Sequence, residues 1–111
     1  MLFRSMIIAT TESVAGYTIT EHLGTVIGNT IRARHLGKDI MAGFRTIIGG
    51  EIKEYTGMLS ESREQALIRM QDKAKELGAV AVVGVRFQTS MILSGTAELL
   101  VYGTAVKLAR Q

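Results

Sequence analysis

Between Glu51 and Leu77, small or apolar residues return every three or four positions: Tyr55, Leu59, Ser62, Ala66, Met70, Ala74 and Leu77. That spacing lays one stripe along one side of an α-helix. Acidic residues dominate its first half (Glu51, Glu54, Glu61, Glu64), and cations gather in its second (Arg69, Lys73, Lys75). This order suits the helix macrodipole. Gly78 then stands where a left-handed residue ends a helix. Unbroken, the stretch would run about 40 Å at 1.5 Å per residue. That exceeds what a small domain needs to cover its own sheet, so part of the stripe would pack on a neighbouring subunit. The other reading breaks the helix at Thr56-Gly57 and caps a shorter one with Ser60 or Ser62.

The sequence on either side reads mainly as β. Met6 to Ala9 is a short apolar run, and 11–16 is a connection. From Tyr17 apolar and polar residues alternate, and a second alternating stretch covers Thr25 to Ala33. Gly24 and Gly28 interrupt it, which predicts a bulge or a bend, or a hairpin turn at Gly28-Asn29. One bent strand and two short ones fit equally. Ile40, Met41, Phe44, Ile47 and Ile48 share one face of a shorter helix that Gly49-Gly50 ends. In the last third, Ala79, Ala81, Val83, Val85 and Phe87 form an apolar strand face, Ser94-Gly95 marks a turn, and Thr96 to Leu108 is the partner strand. The order β, β, α, α, β, β predicts an α+β fold: an antiparallel sheet with a long helix and a shorter helix on one face.

The chain has 111 residues, no Pro and no low-complexity tract, so residues 1–111 are read as a single domain. It has no Cys, which removes disulfides, Cys-type zinc sites and Cys nucleophiles together. The first residues lack the apolar core of a signal peptide, and no run approaches the ~20 apolar residues of a membrane span. The expectation is a cytoplasmic protein with no membrane partner. Net charge is +3, and the densest basic stretch is Arg32, Arg34, His35 and Lys38. With aromatics at 5%, nucleic acid is not an expected partner.

Common catalytic signatures are missing: there is no GxGxxG, Walker A, GxSxG or HExxH pattern. No catalytic residue is assigned. The two histidines, His22 and His35, have no metal-ligand spacing, and Glu21 and His22 point to opposite faces of a strand. A ring-shaped oligomer could still gather one side chain per subunit, so a divalent metal ion is the cofactor this arrangement leaves open. Met41, Met58 and Met70 fall at core spacing and read as flexible filler. The candidate ligand-binding residues are Arg45, Glu51, Tyr55 and Arg86, polar groups beside apolar segments. A two-residue turn at Ser94-Gly95 would set Arg86 opposite Gly103. These four would also serve an enzyme with an intersubunit site. Structural Arg–Glu pairing is the simpler use for them.

Specific runs carry a resemblance: Ala42-Gly43-Phe44-Arg45 and Ile48-Gly49-Gly50, then Leu77-Gly78-Ala79 with Ala81 to Arg86, then Tyr102-Gly103-Thr104-Ala105-Val106. Together, over about Met6 to Lys107, they resemble the YbjQ-like family of small bacterial and archaeal proteins, which carries the label "putative heavy-metal-binding domain". The resemblance implies a dodecin-like subunit assembled with itself into a five-membered ring. Val80 departs from the family, whose members often have Asp or Asn there, and the loop after Thr11 lacks the Pro common at that place. The expected function is therefore a homo-oligomeric ring that binds a small ligand or heavy metal or acts as a scaffold, with the enzyme as the alternative.

Overall fold

The computed structural model describes residues 5–33, 47–48, 51–93 and 96–111, by backbone alone at 32–33, 47–48, 51–59 and 92–93. Chain order is β1 (Ile7–Ile8), β2 (Tyr17–Ala33), β3 (Ile47–Ile48), β4 (Glu51–Ile52), α1 (Lys53–Glu76), β5 (Ala81–Leu93) and β6 (Thr96–Arg110). Four strands form one sheet in the order β1-β5-β6-β2, and β3 and β4 pair separately. The fold is α+β. The sheet is mixed rather than antiparallel, because β1 runs parallel to β5, with Ile7 opposite Ala81. A tight turn forces only sequence neighbours such as β5 and β6 to run antiparallel. No turn links β1 to β5, so that rule does not apply to it.

The long helix forms without a break over 24 residues, about 36 Å at 1.5 Å per residue. Its stripe is the expected one: Ser62, Ala66, Met70 and Ala74 are buried. Leu77 is not in it and is exposed, because the helix has already ended. Gly78 adopts φ +82°, and the Ala79 and Gly78 amides donate to the Ala74 and Lys75 carbonyls at 3.0 and 2.9 Å. This is the glycine-terminated Schellman exit. Among the described residues α1 is the one helix. Of the expected shorter helix, residues 40–46 lie outside the described residues, while Ile47–Ile48 form a strand paired to Glu51–Ile52. Gly49-Gly50 lies between these two strands.

β2 is one strand of 17 residues with irregularities at Ile19/Glu21 and His22/Gly24, so no turn occurs at Gly28-Asn29. Gly28 instead lets the helix approach. A Cβ there would run into the Ala66 carbonyl and the Met70 backbone. The packed layer joins Ala66, Met70 and Ala74 to Val26, Val82, Val85, Val101 and Ala105. Each fully buried aliphatic side chain contributes about 1.5–3 kcal/mol. Thr30 Oγ1 donates to the Ser62 carbonyl at 3.4 Å, satisfying a hydroxyl inside this layer.

A smaller apolar cluster lies on the opposite face: Ala81, Val83 and Val106, with Ile7, Val14, Ile19 and Leu108 packed against it. The odd-numbered face expected for β5 is therefore split. Gly84, at φ +62°, begins a bulge in which Gly84 and Val85 together span the step from Thr104 to Tyr102 on β6. The extra residue moves Val85 to the helix side beside Val82. A second irregularity between Met91 and Leu93 shifts Arg86 by one place, opposite Tyr102 rather than Gly103.

Candidate functional site

Of the four candidate ligand-binding residues, Arg86 alone has a described side chain. Its Nη1 donates to the Thr10 carbonyl at 2.8 Å and to the Val85 carbonyl at 2.9 Å. The Gly84 and Val85 amides also donate to the Thr11 and Ala9 carbonyls, at 2.9 and 3.0 Å. Arg86 thus helps hold the 9–16 loop against β5, using backbone carbonyls rather than the Glu partner expected for it. Arg45 lies outside the described residues. Glu51 is placed by its backbone in β4, opposite Ile48, and Tyr55 by its backbone in the first turn of α1; the side chains of both lie outside the described residues.

His22 is exposed and stands opposite Val106, while Glu21 stands opposite Lys107. His35 lies outside the described residues. Among the described residues no group of three His, Cys, Asp or Glu could hold a metal ion. Soft heavy metals select thiolate and thioether ligands, and the chain has no Cys. The described His, Asp and Glu of one subunit therefore form no such site, and methionine thioethers are the soft donors the chain offers. No helix among the described residues is long and apolar enough to cross a membrane.

A different place in the fold has the shape of a binding site. Where α1 ends, β5 and β2 begin and β6 finishes, a cleft of about 660 Å³ opens. Its walls are apolar: Met6, Ile7, Ala79, Val80 and Leu108. Ser5, Tyr17, Lys75 and Arg110 supply its polar groups. Sheet register sets Tyr17 opposite Arg110. The Ile7 amide donates to the Val80 carbonyl at 3.2 Å, and the Val80 amide to the Val106 carbonyl at 3.1 Å. These bonds tie the cleft walls to the sheet. The Gln111 amide donates to the Gly16 carbonyl at 3.0 Å and closes the end of the β2–β6 pair.

Spacing along the sequence could not have revealed this cleft, whose residues come from four distant segments joined only by strand order. Val80 was the nearest signal. It is a bulky apolar residue, and it is 44% exposed at the cleft.

Comparison with known proteins agrees on one family. A YbjQ family model described as "Putative heavy-metal-binding" matches residues 6–109. A UPF0145 protein of Methanosarcina acetivorans is 58% identical over 103 residues, covering 93% of this chain and 97% of that one. A UPF0145 protein of Thermosipho africanus is 56% identical over 105 residues, covering 95% and 97%. One from Archaeoglobus fulgidus is 58% identical over 105 residues, with 95% and 97% covered. A crystal structure of a protein of unknown function from Pediococcus pentosaceus, assigned to a DUF74 family, superposes with a TM-score of 0.67. It covers 94% of this chain and 98% of its own at 20% identity, which supports the fold.

Proposed function

The chain belongs to the YbjQ family described as "Putative heavy-metal-binding", and from that premise we propose that it is a non-catalytic, self-assembling protein, a ring of five subunits, that binds a small ligand. One observation carries the assembly. Among the described residues no strand pairs with the outer side of β2, a 17-residue edge strand. Ile27 and Ile31 on that strand are 42% and 57% exposed, on the face turned away from α1. A long unpaired edge beside exposed Ile is a surface that native proteins cover.

The ligand half of the reading rests on the cleft, whose volume falls within the roughly 300–1,000 Å³ of small-molecule sites. The enzyme alternative is weaker, because Arg86 already serves the 9–16 loop. A metal reading built on the described residues draws on donors from more than one subunit, gathered around the ring axis.

Native mass spectrometry of the purified protein, with and without added divalent metals, tests the proposal. The expected mass is five times the 12.1 kDa subunit. Stoichiometric metal, fewer than one ion per chain, would move the function to the ring axis. A monomer at micromolar concentration would overturn the assembly.

A further inference from the structure

We propose that the cleft at the end of the sheet binds a small organic anion, with one anionic head on an apolar body. The inference rests on the ligand-binding reading above and names the class of ligand. Lys75 and Arg110 both line the cleft, and among the described residues no carboxylate side chain does. Neither cation is paired with a carboxylate among the described residues. Tyr17, opposite Arg110 in the β2–β6 register and also in the cleft lining, adds a hydroxyl donor. Arg110 offers a planar fork and Lys75 a mobile point charge, a pairing that suits a carboxylate or a phosphate monoester.

Part of the carbonyl charge at the helix end is already engaged. C-terminal carbonyls carry partial negative charge, but here the Ala74 and Lys75 carbonyls already accept the Ala79 and Gly78 amides. Lys75 and Arg110 are the charged side chains in the cleft lining. Val80 and Leu108 supply an apolar wall with no polar demand of their own, so the body of the ligand is hydrocarbon or aromatic. Charge at one end and grease along the walls together select against sugars, free phosphate and neutral apolar molecules.

Calorimetric titration of the assembled full-length protein with 1-naphthoate, and with its neutral isostere 1-naphthamide, tests this. Naphthoate should bind more tightly, on the order of tenfold or more. Combined Lys75→Ala and Arg110→Ala should remove that preference, and Val80→Trp should weaken binding of both probes by taking up part of the apolar wall's space. Equal affinity for the two probes, an unchanged preference in the double variant, or naphthoate binding unaffected by Val80→Trp would each overturn the proposal. So would a change of assembled mass in the double variant, which would make the cleft a contact between subunits. An intact ring that ignores naphthoate refutes the ligand class and leaves the assembly standing, whereas a monomer that binds naphthoate does the reverse.

Discussion

Arg69, on the exposed side of α1, donates from Nη1 to the main-chain carbonyl of Asn29 on β2 at 2.6 Å, and so fastens the helix to the edge strand it covers. Asn29 in turn donates from Nδ2 to Glu98 Oε2 on β6 at 3.1 Å. Helix, edge strand and inner strand are thereby linked in sequence.

Because the bond is exposed, Arg69→Ala should cost about 1 kcal/mol, the net value of a typical hydrogen bond. Urea unfolding at fixed protein concentration checks it. The midpoint should fall with the slope unchanged, and Arg69→Lys should recover part of the loss. A midpoint equal to that of the unaltered protein would mean that the helix is held by its buried stripe alone.

Gly28→Ala should be far more damaging than its size suggests. The new methyl would meet the Ala66 carbonyl and the Met70 backbone, neither of which can swing aside as a side chain does. Overpacking of this kind costs about 1–3 kcal/mol, which for a domain near 100 residues lowers Tm by roughly 5–15 °C. Ile68→Ala, at a position 52% exposed on the same helix, is the control and should leave Tm nearly unchanged. If both variants melt like the parent, α1 sits further from the sheet than described.

How much of this was legible beforehand differs by element for physical reasons. The α1 stripe was readable because Ser62, Ala66, Met70 and Ala74 report burial through a local period. So was the glycine exit at Gly78, since it too depends on neighbours in sequence. The alternating face of β5 was misread because the Gly84 bulge shifts parity, and alternation cannot show an extra residue. Arg86 looked like a ligand residue because its partners, the Thr10 and Val85 carbonyls, are main-chain atoms with no signature in sequence. The cleft escaped notice because Tyr17, Lys75 and Arg110 meet only through tertiary structure.

Arg86→Ala should free the 9–16 loop while leaving the sheet intact. Two charge-assisted contacts disappear, yet the Gly84 and Val85 amides still bond to the Thr11 and Ala9 carbonyls. The expected cost is about 1–2 kcal/mol, discounted for exposure. Hydrogen exchange should quicken in residues 10–14 with core strands β5 and β6 unaffected. Arg86→Lys should restore part of the loss, because a single nitrogen, Nη1, makes both bonds and an ammonium also carries several donors. Unchanged exchange in the loop would remove Arg86 from this role and return it to the pool of candidate ligand residues.

The surface that would close the ring can be challenged without touching the subunit's core. Ile27 and Ile31 are exposed in the single chain, so Ile27→Glu with Ile31→Glu should leave the subunit's circular dichroism unchanged. Placed against another copy, each carboxylate would lose water without gaining a partner, and central interface contacts are commonly worth about 2 kcal/mol or more. The double variant should therefore sediment as smaller species at concentrations where the parent is fully assembled. If its mass is unchanged, the Ile27–Ile31 face is not the contact, and the next surface to test is another exposed apolar pair, Phe87 and Met91, which register with Val101 and Ala97 places on the helix side of β5. Phe87→Glu with Met91→Glu is then the variant to sediment, and the two double variants together test both sheet faces for the contact.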